Sequence, residues 1–278
     1  MKDIRVATAM MQSEINKTNQ NMTVMHDFIC MAKKSGAQIL CFPELNMTGY
    51  CNQSMIREVA EPVPGPSVNK LLAFARDYKM VILSGLAEIN QEQLYITHLI
   101  AFPNGYLGIY RKLYLAPPEK KIFACGHTAP VFQMSDLSLG IQLCYDAHFP
   151  ELTTLMNASG TEIIFIPHAS PHGTSEQKFN SWMRHLPARA YDNSIFIVAC
   201  NASGQNCAGL TFPALALALD PSGNLINKSY TQDELMVVDL KESAFDYVRK
   251  HEMRYFFANR REYGVEPSQP IVIHNYSF

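Results

Sequence analysis

Short apolar runs rich in β-branched residues alternate with segments of helical period along this chain, with no Pro/Gly/Ser-rich linker between its halves. That alternation restricts the fold to the α/β class, in which helices cover the faces of sheets. Residues 4–11 read as a first strand, after which Met22, Met25, Ile29 and Ala32 recur at helical spacing until Gly36 ends the run. A short strand at 38–42 stops at Pro43, and Pro62, Pro64, Gly65 and Pro66 mark a surface loop. Ser67 stands as an N-cap for a helix that turns Val68, Leu71, Leu72 and Ala75 inward. Strands follow at 81–87, 94–102 and 107–110, the last two joined by a hairpin turn at Pro103-Asn104-Gly105.

The second half continues the scheme. A strand at 137–143 leads into Cys144, a helix spans 149–159 with Pro150 in its first turn, and a strand at 163–166 is closed by Pro167. A helix over 176–191, strands at 195–201, 215–219 and 235–240, and a turn at Asp220-Pro221-Ser222-Gly223 complete the pattern. At 278 residues the chain is long enough to bury a large core. The expected organisation is a single domain over 1–278, with its core at about 4–240 and a C-terminal tail over 250–278. In that tail Tyr255, Phe256, Phe257, Tyr276 and Phe278 suit packing on the body or on a partner subunit.

Composition narrows the class further. Hydrophobic residues make up 47% and charged residues 17%, which fits a folded chain and not a disordered one. A formal net charge of −2 supplies no electrostatic footprint for nucleic acid or an anionic membrane. No apolar run is long enough to span a bilayer, and the one at 4–11 is too short for a signal-peptide core. A cytoplasmic location is therefore expected. The seven cysteines contain no Cys-x-x-Cys pair and sit mostly in apolar runs, as reduced core cysteines do, so no disulfide framework is expected.

Three polar residues stand directly after strands, where α/β folds present side chains to a cleft. In Phe42-Pro43-Glu44-Leu45, a partly desolvated Glu44 suits general base work; the plain alternative is a solvated loop glutamate. In Tyr110-Arg111-Lys112-Leu113-Tyr114-Leu115, Lys112 offers a fixed positive charge for a developing oxyanion; the alternative is a lysine snorkelling at a strand edge. In Gly140-Ile141-Gln142-Leu143-Cys144-Tyr145-Asp146, running on to Phe149-Pro150-Glu151, Cys144 occupies a strand-to-helix turn like a nucleophile elbow. Taken singly it reads better as a core cysteine. Together, a base, a lysine and a thiol at strand ends are the parts an acyl-transfer site needs.

At these residues the chain resembles the nitrilase superfamily of carbon–nitrogen hydrolases. The resemblance runs from the first strand to about Asp239. It includes Thr48-Gly49-Tyr50 after the glutamate motif, Pro187-Ala188-Arg189-Ala190-Tyr191-Asp192-Asn193, and Asp220-Pro221-Ser222-Gly223. It implies an α-β-β-α four-layer sandwich with Glu44, Lys112 and Cys144 as a triad, and Glu119 as a second glutamate beside the lysine. It also implies a thioester on Cys144, an oxyanion held by Lys112 and the backbone N–H of Tyr145, no cofactor, and assembly as a homodimer or larger homo-oligomer.

Departures from the family pattern bear on substrate. Tyr145-Asp146 follows the cysteine where true nitrilases usually carry Trp-Glu, which favours a small linear amide over a nitrile. His148 stands where many branches acting on carboxylate-bearing substrates have arginine, whose bidentate fork histidine cannot reproduce. A neutral or amine-bearing amide is therefore expected. Tyr50, Tyr145, His148, His168 and His172 are candidate substrate-binding residues, with His172 at the mouth of the site. His168 and His172 are four apart, but Pro171 and Gly173 break any helix there, so no metal site is expected. The alternatives are an N-carbamoyl amine amidohydrolase, a nitrilase, an acyltransferase, a Cys–His hydrolase with His148 as base, and a silent metabolite-binding relative.

Overall fold

Two six-stranded sheets packed face to face form the centre of the computed structural model, which describes residues 1–134 and 136–260. Strands β1 (Ile4–Ala9), β2 (Ile39–Cys41), β3 (Val81–Asn90), β4 (Gln93–Ala101) and β5 (Leu107–Arg111) build the first sheet. The second holds β6 (Phe132–Gln133), β7 (Ser138–Ile141), β8 (Ile163–His168) and β9 (Phe196–Asn201). After a small hairpin of β10 (Gly204–Gln205) and β11 (Thr211–Phe212), β12 (Ala216–Leu219) and β13 (Leu225–Ser229) complete that second sheet. β14 (Leu235–Leu240) crosses back and pairs antiparallel with β1, giving the orders β14-β1-β2-β3-β4-β5 and β13-β12-β9-β8-β7-β6. Within each sheet the parallel pairs lie at the centre: β1–β2–β3 in one, β7–β8–β9 in the other.

The period-2 alternation of strand side chains explains the layers. Ile4 and Val6 of β1, Ile39 and Cys41 of β2, and Leu83 and Ala87 of β3 face the second sheet in one continuous core. Their neighbours Ala7, Ala9, Leu40, Ile82 and Leu86 face outward, onto α1 (Thr18–Lys34) and α2 (Pro66–Tyr78). On the far side α3 (Pro150–Ala158) and α5 (Leu186–Asn193) cover the second sheet, with Leu152, Met156, Leu186 and Ala190 buried. The α-β-β-α sandwich is thus the observed fold. No helix among the described residues is long and apolar enough to cross a membrane.

Four local features differ from the sequence reading, each for a definable reason. The helix expected over 176–191 is two: α4 (Ser175–Trp182) and α5, broken because Pro187 has no N–H to donate and needs a helix start around it. Pro167 does not end β8, which runs to His168 against β9. Phe165 O accepts from Gln142 N at 3.0 Å on the β7 side, so by alternation Pro167 also faces that side, where β7 has ended at Ile141 and no donor is needed. Ser67 is not the N-cap of α2; Gly65 is, with Pro66 in the first turn. Ser67 instead donates from its N–H and hydroxyl to Glu61, at 2.8 and 2.6 Å. β13 is an exposed edge strand with no apolar alternation, so hydropathy alone does not reveal it. The tail residues Tyr276 and Phe278 lie outside the described residues; within them, Phe256 meets Tyr191 with ring centroids 5.2 Å apart.

His98 of β4 lies between the sheets, fully buried, with neither ring nitrogen hydrogen-bonded to protein. Burial depresses its pKa from 6.5 to about 3, so it stays neutral in the fold while the unfolded chain protonates. Stability from this residue is therefore complete above pH 6.5 and is lost as pH falls toward 3, at about 1.4 kcal/mol per pH unit. Urea denaturation at pH 7 and pH 5 should show His98→Leu with a shallower acid loss than wild type; parallel losses would contradict this assignment.

Candidate active site

The loop after β2 is fastened to β3 by side chains that reach across to backbone. Asn46 Oδ1 accepts from Ser84 Oγ at 2.9 Å and from Gly85 N at 2.8 Å, and Thr48 Oγ1 accepts from Ala87 N at 3.0 Å. Gly85 must lack a side chain here: a Cβ would sit 2.6 Å from Leu45 N and 2.8 Å from His98 Nδ1. This clamp holds Glu44, which is buried, with Oε1 accepting from Lys112 Nζ at 2.8 Å and Oε2 from Ala169 N at 3.0 Å. Burial pushes its pKa up to about 7, with Lys112 opposing the rise and Glu119 adding to it.

Lys112 follows β5 and is buried between two carboxylates, donating to Glu44 and, at 2.9 Å, to Glu119 Oε1. Burial alone would discharge it, but the two carboxylates outweigh that and hold it firmly protonated. Glu119 is positioned by the Pro117-Pro118 turn, which folds it back so that Oε2 accepts from Ala116 N at 2.8 Å. Tyr50 donates its hydroxyl to Glu119 Oε1 at 3.0 Å, and Phe212 packs edge-on against the Tyr50 ring at 6.0 Å. The stretch Phe212-Pro213 thus forms a wall beside Tyr50, and Pro213 O accepts from Asn201 Nδ2 at 2.9 Å.

Cys144 begins a short 3-10 turn directly after β7, with φ 45, a left-handed conformation uncommon for a residue with a Cβ. Cys144 as a residue is partly exposed at this elbow. Burial and the facing Glu44 push its pKa above the usual thiol range, while Lys112 and Lys178 pull the other way. Both upward shifts favour the neutral thiol at Cys144 over the thiolate in the resting site. Tyr145 N lies in the first turn of this 3-10 segment, where backbone N–H groups lack an intrahelical acceptor.

Asp146 organises the elbow, a role the sequence reading did not assign. It is fully buried and accepts from Leu143 N at 2.8 Å, Tyr110 Oη at 2.7 Å and Tyr114 N at 2.7 Å. One carboxylate thereby ties the cysteine turn to both flanks of Lys112. Burial raises its pKa to about 6, against the pull of Lys112 and of these donors.

The histidines divide. His168, at the end of β8, is buried beside Ala169, bonded through Nδ1 to Ile166 O at 2.8 Å and stacked on Trp182 at 4.1 Å. Burial holds it neutral. His148 is exposed, its ring 4.5 Å from that of His185 and its carbonyl bound by Arg189 Nη2 at 3.2 Å. None of its hydrogen bonds or ring contacts reaches Cys144. His172 is exposed in the loop before α4, where its N–H donates to Thr211 O at 2.9 Å. The structure thus brings Glu44, Lys112, Glu119, Tyr50, Cys144 and His168 together, and leaves His148 and His172 peripheral. Tyr145's ring packs toward His148 and Phe149, at 5.5 and 5.6 Å. Among the described residues no group of three or more His, Cys, Asp or Glu is arranged to hold a metal ion.

Residues 5–249 match the family model described as carbon–nitrogen hydrolase. The chain belongs to that family. This hydrolase is 28% identical to a nitrilase of Pyrococcus abyssi, over 93% of its own length and 98% of the relative's. It is 28% identical to an (R)-stereoselective amidase of a Pseudomonas species, over 73% and 72% of the two chains. The fold of the hydrolase superposes on an amidase from Nesterenkonia sp. AN1 with a TM-score of 0.80 at 26% identity, covering 93% and 96% of the chains. A glutamate-to-glutamine variant of that amidase carries the acetamide moiety of fluoroacetamide covalently at its active-site cysteine.

Proposed function

We propose that this hydrolase cleaves the C–N bond of a small linear amide through a thioester on Cys144, releasing ammonia or an amine and a carboxylic acid. The observation that carries the reading is the Lys112 ammonium clasped between Glu44 and Glu119 at 2.8 and 2.9 Å, in a chain whose Cys144 stands at a left-handed elbow after β7. Glu44 takes the thiol proton as sulfur adds to the amide carbon. The oxyanion is met by the Lys112 ammonium and Tyr145 N–H. The C–N bond breaks as Glu44 returns the proton to the leaving nitrogen. Water then gives a proton to Glu44 and adds to the thioester, and the sulfur leaves as thiolate and is reprotonated. Glu119, held by Tyr50, keeps Lys112 charged and aimed.

An amide is favoured because Tyr145-Asp146 replaces Trp-Glu, and because the structurally similar Nesterenkonia amidase has been observed with butyramide bound. The relative named a nitrilase makes nitriles the second reading. Ammonia release across primary amides, N-carbamoyl amines and nitriles separates them, with Cys144→Ala as control. A rate dependent on Cys144 for nitriles alone would overturn the amide reading.

The proposal carries a pH dependence. Glu44 must be ionised to accept the thiol proton, and its pKa lies at about 7. kcat/KM should fall about tenfold per pH unit below that value, since only the ionised fraction is competent. Glu44→Gln should lose activity at every pH; an acid limb that persists in that variant would assign the titration to another group. The same reading places the enzyme in the cytoplasm as a single-domain homo-oligomer. The seven free cysteines and the exposed Tyr247, Met253 and Phe256 near the C-terminal end of the described chain support that setting.

A further inference from the structure

Helix α4 presents one face to the site, and that face carries two residues the chemistry above does not use. Trp182 is buried against His168, and Lys178 lies four residues before it, one turn away on the same side. The Lys178 ammonium donates to Ser170 Oγ at 2.7 Å and to Pro171 O at 3.3 Å. Ser170 is the residue after Ala169, whose N–H holds Glu44, and its own N–H is fixed by Asn201 Oδ1 at 2.8 Å. Lys178 is thus anchored to the segment that carries the base.

An ammonium has three N–H donors, and two are spent on neutral oxygens here. Among the described residues no carboxylate forms an ion pair with it. The side chain is half-buried, and its charge is felt by both Cys144 and His168. The two oxygens it bonds, Ser170 Oγ and Pro171 O, are neutral, and no ion pair balances its charge. A partly desolvated cation with a spare donor and no ion-pair partner, bonded to the segment that follows Ala169 on a helix whose Trp182 stacks on His168, is suited to hold a substrate anion.

We infer that Lys178 selects the substrate's charge, binding a carboxylate at the far end of the linear amide while the amide carbon lies at Cys144. This rests on the amide-hydrolase reading and names its substrate class: carboxylate-bearing amides. It reverses the expectation drawn from His148. The missing arginine after the cysteine does not leave the site without a cation, because α4 supplies one from another direction. A lysine binds as a point charge and not as a fork, so the site should tolerate a carboxylate at more than one angle.

The test compares succinamate with butyramide, which differ by a terminal carboxylate, in wild type and in Lys178→Met and Lys178→Glu. Wild type should favour succinamate at least tenfold in kcat/KM, with the difference in KM. Lys178→Met should bring the ratio near one, and Lys178→Glu should shift preference toward 4-aminobutanamide. A Lys178-dependent preference for N-carbamoyl-β-alanine over N-carbamoyl propylamine would equally uphold the proposal, with the carboxylate on the nitrogen side. Equal use of charged and neutral members of both pairs by wild type, or preferences unchanged in Lys178→Met, overturns it. Should no amide release ammonia, the hydrolase reading fails and calorimetric titration of succinate decides the anion site. Binding weakened tenfold or more in Lys178→Met upholds the site; equal or absent binding overturns it.

Discussion

Cys144→Ala is expected to lower amide turnover by about 10⁴-fold or more, because the thioester route has no substitute nucleophile. The thiol hydrogen bonds to nothing that holds the fold together, and alanine inherits the same φ of 45 at the elbow. Thermal stability should therefore stay within about 1 kcal/mol of wild type. The measurement is ammonia release beside a melting curve. Activity surviving in a well-folded Cys144→Ala protein would sink the covalent scheme. The Cys–His alternative is tested in the same series. The exposed His148 ring lies against His185, so His148→Ala should keep substantial activity where Glu44→Gln does not.

Lys112→Met should be the most damaging single change to the fold as well as to the chemistry. The ammonium sits between the buried Glu44 and Glu119 carboxylates at 2.8 and 2.9 Å, and methionine leaves both without their cation. Breaking a buried ion pair from one side costs about 3–5 kcal/mol. Without the ammonium, Glu44 loses the cation that opposes its upward pKa shift, so it stays protonated to a higher pH than in wild type and the folded variant binds an extra proton as pH falls. The stability gap between variant and wild type is then widest near pH 8 and narrows toward pH 5. Urea denaturation at the two pH values reads this directly. A variant as stable as wild type at pH 8 would show that the carboxylates do not depend on Lys112.

The catalytic candidates were legible because each stands at a strand end: Glu44 after β2, Lys112 after β5 and Cys144 after β7. The strand–helix alternation likewise carried the fold class. What escaped was set by contacts between distant segments. Glu44 is fixed by Ala169, 125 residues away, and nothing local to either residue announces it. Asp146 looked like a substrate marker, yet its three donors come from Leu143, Tyr110 and Tyr114, which only the folded chain brings together. Lys178 reads locally as one more helix-surface cation. Trp182, the only tryptophan, is conspicuous in the sequence, but its stacking on His168 depends on α4 ending before Pro187. Boundaries failed where tertiary pairing overrode local preference, as at Pro167, or where an edge strand such as β13 had no buried face to betray it.

Glu44 and Lys112 hang from one sheet, Cys144 and Ala169 from the other. On the proposed scheme the nucleophile therefore acquires its acid–base partners only at the seam where the two sheets close on each other. A half-made chain emerging from the ribosome carries an ordinary, unassisted thiol. Reactivity is withheld until the molecule is whole, so the fold itself acts as the safety catch on its own chemistry.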